Sequence, residues 1–144
     1  MTPDVNVLLA ASRSDHPHHA PATAWLEGAL AEAAGGRPFR LMPMVVASFL
    51  RLVTSPKLFV QPTPIERAVA FIDALLAAPG VELATLGSEW RRLREMCLAK
   101  KLSANDLPDA WLAAAVLERG EHLASFDRDF KRLLGAAHLT LLKP

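Results

Sequence analysis

At 144 residues the chain has room for one domain, read here as 1–144, and with 51% apolar residues it can build a core without staples. Sixteen Lys and Arg stand against fifteen Asp and Glu, so bulk charge neither demands nor excludes a nucleic-acid partner, and any basic surface is local. The single cysteine, Cys97, excludes an internal disulfide, suits a reducing compartment and lies in a Leu-rich stretch that reads as the setting of a buried, inert thiol. Apolar runs are broken by Pro or charge well short of the roughly 20 residues a bilayer span needs. No basic region followed by a long apolar run marks a signal peptide. The expectation is a soluble, cytoplasmic protein with no membrane association.

In chain order, a very short strand is expected before Asp4 and a helical turn over Val5–Ala11. The His-rich stretch Ser12–His19 reads as a loop, and Pro21–Ala34 as an Ala-rich helix ended by Gly35-Gly36. Phe39–Met42 is a strand candidate. Met44–Thr54 carries Val45, Val46, Phe49, Leu50 and Val53 on a helical stripe, stopped by Ser55-Pro56. Thr63 is expected to cap a helix starting at Pro64, with Glu66 completing a capping box, and that helix runs to about Ala78. Val81–Ala84 reads as a strand, Ser88–Lys101 and Asn105–Arg119 as helices, and His122–Phe126 as a strand. Asp127–Leu134 reads as a helical turn and Leu139–Leu142 as a last strand. Short apolar strands between longer helices predict an α/β sandwich, with a short, mostly parallel central sheet flanked by helices.

Three acids fall at strand-to-helix junctions or first turns of helices: Asp4, Asp109 and Asp127. In open α/β folds such junctions converge at the carboxyl ends of the strands, where ligands gather. Each acid also has a plain structural reading, because Asp caps helices and favours the positive end of the helix dipole. Together, clustered carboxylates repel and are costly to bury unpaired, so a shared pocket implies a cation. Hard oxygen ligands select Mg²⁺ or Mn²⁺ over zinc. Such an ion polarises a phosphodiester and activates water. His16, His18 and His19 lack further ligands at zinc spacing and read as surface loop residues.

The segments that carry these acids resemble the PIN-domain family, in particular the VapC toxins of bacterial toxin–antitoxin pairs. The matching pieces are Asp4-Val5-Asn6-Val7-Leu8-Leu9, the run Phe49–Phe59, the run Asn105–Ala114, and Ser125-Phe126-Asp127-Arg128-Asp129-Phe130. They follow in family order and span nearly the whole chain. The resemblance implies a PIN-like sandwich with metal ligands at Asp4, Asp109 and Asp127, and with Asn6 and Ser125 as polar supports. Asp106 and Asp129 are candidates for an outer supporting role, against the alternative of solvated acids. It further implies Mg²⁺-dependent hydrolysis of RNA, a homodimer, and a cognate antitoxin partner.

The pattern departs from the family at Ser48, where VapC-like sequences usually carry a glutamate. A hydroxyl is a neutral, weak ligand, so metal affinity should fall unless another acid substitutes. Pro3 is a smaller departure, since it cannot donate a ladder hydrogen bond and requires a short or permissive strand. Arg51, Arg128 and Lys131 neighbour the acidic motifs and are the candidates to contact RNA phosphates. Trp111 could stack a base or pack at a core edge. Two functions stay open: an endoribonuclease toxin, and a catalytically weak PIN module that binds RNA or antitoxin without cutting. A non-PIN α/β domain with capping aspartates is the third alternative.

Overall fold

The computed structural model describes residues 1–144. Strand β1 is only Thr2–Pro3, and Asp4 then caps helix α1 (Val5–Ser12) by accepting the Val5 N–H at 2.7 Å. Helix α2 runs His19–Ala34, so it begins inside the stretch expected to be a loop. Pro21 falls in its first turn, where N–H groups have no helical partner and a proline costs nothing. Strand β2 (Phe39–Leu41) leads into α3 (Pro43–Val53), which opens on a proline and buries Val45, Phe49 and Val53 on one face.

Helix α4 spans Ile65–Ala77, and the expected capping box is absent. Pro64 is the cap residue and has no side-chain bond to offer. Thr63 turns instead to Arg13, whose Nη1 donates to its Oγ1 at 3.1 Å. That guanidinium is buried between Asp15, which it grips with two nitrogens, and the face of Phe59. A buried charge needs every acceptor within reach, and this need outweighs the helix cap.

Strand β3 (Val81–Leu83) follows Gly80, which has φ +76° and passes so close to α2 that a Cβ there would lie 2.3 Å from the Ala33 carbonyl oxygen. Only glycine satisfies both conditions. Helices α5 (Trp90–Lys100) and α6 (Asp106–Glu118) pack as a pair before β4 (Leu123–Ser125), a 3₁₀ turn (Arg128–Arg132) and β5 (Leu139–Leu141). Helix α6 buries Ala110 and every residue from Leu112 to Val116, as a helix apolar all round must.

All strand pairs are parallel, in the orders β1-β4-β5 and β2-β3. The Arg40 N–H donates to the Met1 carbonyl at 2.9 Å, which sets β2 alongside β1 and brings the two groups together as β3-β2-β1-β4-β5. Thr2 and Asp4 donate to β4 at His122 and Ala124, so the missing N–H of Pro3 falls where the backbone faces away from β4. It falls on the β2 side, where the contact rests on the Arg40 N–H bond to Met1, so the proline leaves the β1–β4 pairing intact. One contiguous core of 27 buried residues, with Phe39, Phe49, Leu41 and Phe130 at its centre, holds helices and sheet together. The register matters most for function: Pro3 pairs with Ala124, so Asp4 emerges from β1 beside Ser125 at the end of β4.

Candidate active site

Asp4 is held from three directions. One carboxylate oxygen accepts the Val5 N–H, and the other accepts the Ser125 hydroxyl at 2.6 Å and the Asn6 amide at 3.0 Å. Ser125 Oγ in turn accepts from Asn6 Nδ2 at 3.1 Å and from the Asp127 N–H at 2.9 Å. A hydroxyl has one proton and two lone pairs, so with both lone pairs engaged its proton is committed to Asp4. Asn6 Oδ1 completes the web by accepting the Phe126 N–H at 3.3 Å. The supports anticipated at Asn6 and Ser125 are therefore assembled, and they tie the end of β1 to the end of β4.

Asp4 and Asp109 line one cavity of about 550 Å³, together with Ser48, Glu89 and Trp111. Met44, Val45, Leu86 and Leu112 give it an apolar wall. Burial pushes the Asp109 carboxyl up to about 6, and the negative charges of Asp4, Asp127 and Asp129 add to the rise, with Arg132 offsetting little of it. Asp4 is likewise raised, first by burial and then by Asp127, although the bonds from Ser125, Val5 and Asn6 pull against this. Asp127 is not part of the cavity wall; one of its oxygens accepts the Asp129 N–H at 2.8 Å and caps the 3₁₀ turn. Its structural role and its electrostatic coupling to the other two acids coexist.

No three acidic, histidine or cysteine side chains converge closely enough to enclose one ion. The side chains that could hold a cation directly are Asp4 and Asp109; Ser48 lines the same cavity, and Asp127 lies outside its wall.

Ser48 lines the cavity, and its hydroxyl makes no hydrogen bond within the chain. Glu89 is the carboxylate that sequence reasoning missed. It is 2% exposed, and it accepts the Trp111 indole N–H at 2.8 Å and the Gly87 N–H at 2.7 Å. Those two bonds hold its carboxyl below the usual range even though burial alone would raise it. Nothing in the local pattern marks it, because Ser88-Glu89-Trp90 reads as the first turn of an amphipathic helix.

The other candidates lie outside the cavity wall. Asp106 accepts the Ser103 N–H at 3.2 Å and faces Arg132 at 3.6 Å, so it braces the turn before α6. Asp129 is exposed and acts on Asp109 through its charge. Arg51, Arg128 and Lys131 are all exposed and form no ion pair. His16 and His18 lie in the loop as expected, His18 packing against Phe126 with ring centres 4.7 Å apart, while His19 starts α2 and bonds the Ala10 carbonyl. Cys97 is half-buried against the core rather than fully buried.

Fold and site together define a parallel α/β protein with an acidic cavity at the carboxyl ends of β1 and β4. The PIN domain model matches residues 1–135. Ribonuclease VapC25 of Mycobacterium tuberculosis is 39% identical over 137 residues, covering 94% of each chain. Ribonuclease VapC31 of the same species is 40% identical over 139 residues, again with 94% of each covered. The chain belongs to the PIN domain family, among the VapC ribonucleases. The fold agrees with that of VapBC2 from Rickettsia felis, solved with a DNA fragment from its promoter, at a TM-score of 0.67 and 18% identity over 99% of this chain and 98% of that one. It also agrees with VapC20 of Mycobacterium tuberculosis, described as a toxin cleaving the sarcin–ricin loop, at a TM-score of 0.61 and 18% identity over 91% and 92% of the two chains.

Proposed function

We propose that the protein is a Mg²⁺-dependent endoribonuclease toxin, acting on an unpaired segment of RNA and restrained by a cognate antitoxin. The observation that carries this reading is the meeting of Asp4 and Asp109, from opposite ends of the chain, in one cavity where each is disfavoured as an anion. Like-charged carboxylates kept together without a cationic partner suit a divalent ion. The donors are hard oxygens, and Mg²⁺ takes one or two carboxylates while keeping several waters, so a third converging acid is not required. Asp4 and Asp109 would hold the ion, with Asp127 acting on its waters. Bound there, it would polarise a phosphodiester oxygen and lower the pKa of a water.

The chain's own residues supply positioning. Asn6 and Ser125 fix the Asp4 carboxylate, so no conformational freedom is lost when it meets a ligand. The apolar wall of Met44, Leu86 and Leu112 restricts water and strengthens the electrostatics of the cavity. VapC25 and VapC31 carry the ribonuclease name, and VapC20 acts on an RNA loop; both facts support the substrate class. The VapBC2 assembly supports the antitoxin partner.

Incubation of the purified protein with structured RNA tests this. Cleavage leaving 5′-phosphate ends is expected with Mg²⁺, abolished by chelation and by Asp4→Asn or Asp109→Asn. An RNA library left intact under all conditions would favour the second reading, a PIN module that binds without cutting. That reading rests on Ser48, which leaves the cavity without the carboxylate usual at its position.

A further inference from the structure

We propose that the apolar half of the acidic cavity is a nucleobase subsite, with the indole of Trp111, pinned by Glu89, as its stacking wall and the Ser48 hydroxyl at the base edge. The inference rests on the ribonuclease reading and names the part of the RNA that this cavity takes beside the phosphate.

The cavity has two chemical characters. Asp4 and Asp109 mark one; Val5, Met44, Leu86, Leu112 and Trp111 make up the other. A phosphodiester has no use for the second surface. A base does, being apolar on its faces and polar along its edge. The volume, about 550 Å³, lies within the range of small-ligand pockets, roughly 300–1,000 Å³.

Trp111 and Asp109 both lie on α6 and both line the cavity, so one helix supplies the indole and the carboxylate. It is 45% exposed although its N–H is engaged. An indole N–H bond lies in the ring plane, so it fixes the ring while leaving both faces free of polar partners. Glu89, which accepts that bond, is itself buried and anchored by the Gly87 N–H. The bond satisfies the indole N–H and holds the ring in one orientation while nearly half of its surface stays open. A wall fixed before the ligand arrives lowers the ordering cost of binding.

Ser48 adds the polar edge. Its hydroxyl lines the cavity without a partner in the chain, and as donor and acceptor it can meet either type of base atom. A base reaches such a pocket only when unstacked, which directs the enzyme to loops and single strands. The rival occupant, an apolar side chain of a partner protein, would also bury against the ring but would leave the Ser48 hydroxyl unpaired, whereas the edge of a base can meet it.

The test measures binding of labelled single-stranded RNA, with Ca²⁺ in place of Mg²⁺ to hold off cleavage. An intact oligonucleotide is compared with versions in which an abasic residue replaces each nucleotide in turn. For the wild type, removing the base at one position should weaken binding about tenfold, within the range measured for base–aromatic stacking. Trp111→Phe should keep most of that preference, and Trp111→Ala should bind intact and abasic RNA alike. Melting with Mn²⁺ is the control, and the gain in melting temperature should survive in both variants. Wild-type protein indifferent to every abasic position, or a preference that persists in Trp111→Ala, overturns the subsite. If the Mn²⁺ gain is present in that case, the metal pocket stands without it; if Mn²⁺ and RNA binding are both absent, the ribonuclease reading falls as well. Weakened binding to the antitoxin alone in Trp111→Ala would overturn the base assignment in favour of a protein partner.

Discussion

Ser125 donates its hydroxyl proton to Asp4 at 2.6 Å, and that one bond joins the carboxyl ends of β4 and β1 at the centre of the acidic site. Ser125 is fully buried, and its oxygen also receives the Asn6 amide and the Asp127 N–H. Ser125→Ala therefore strands two donors and removes one support of a buried carboxylate. The expected loss is about 1–3 kcal/mol of stability, together with weaker Mn²⁺ binding. Urea unfolding and a Mn²⁺ titration of the variant measure the two effects.

Asp109 makes the metal-free protein sensitive to pH. Its folded-state pKa is raised from 3.8 to about 6, so between those values the native state binds more protons than the unfolded chain. Stability then falls as pH rises through this window, and Asp4, also raised, adds the same sign. His16, held below its usual range by burial and by His18, acts with the opposite sign in this window. The large shift of Asp109 outweighs it, and the metal-free protein should melt higher at pH 5 than at pH 7.5. Asp109→Asn should flatten that slope and stabilise the metal-free protein at pH 7.5 by about 1 kcal/mol, the full shift being discounted because the group is half-exposed. A melting temperature that instead rises steadily from pH 5 to pH 7.5 would refute this.

Ser48→Glu restores a carboxylate to the cavity that holds Asp4 and Asp109. Without metal, a further negative charge beside Asp4, Asp109 and Glu89 should lower stability and raise the Asp109 carboxyl further. With Mn²⁺ the sign reverses, and affinity should increase on the order of tenfold. Calorimetric titration of the variant beside the wild type reads the difference, and equal affinities would mean that the Ser48 position does not face the ion.

Glu89 holds two donors that have no other partner, the Trp111 indole and the Gly87 N–H. Glu89→Ala should cost about 1–3 kcal/mol, whereas Glu89→Gln keeps an acceptor for one of them and should cost less. Chemical denaturation ranks the pair, and the order wild type, Gln, Ala is the expected one.

Much of this site is local in origin, which is why it was readable. Asp4, Asn6, Ser125 and Asp127 lie on two short segments that flank strand ends, and parallel pairing of such strands brings their carboxyl ends together. Asp109 reaches the cavity by another route, in the first turn of α6, which follows α5 and not a strand. Glu89 was hidden because its function depends on where α6 sets Trp111 against the loop before α5, a contact no periodicity encodes. The failed cap at Thr63 has the same cause: Arg13, distant in sequence, claims the hydroxyl. Helix and strand identities followed from apolar spacing, while the ends moved wherever a long-range bond competed with a local one.

A thermal melt with and without Mn²⁺ tests whether Asp4 and Asp109 hold a divalent cation, without knowledge of the RNA target. A ligand that binds only the folded protein raises its melting temperature, by the equivalent of about 2.7 kcal/mol at a hundredfold excess over its dissociation constant. The wild type should gain stability with Mn²⁺, and Asp109→Asn, already stabilised without metal, should gain none. A wild type unmoved by millimolar Mn²⁺, or a variant that gains as much as the wild type, would contradict the account.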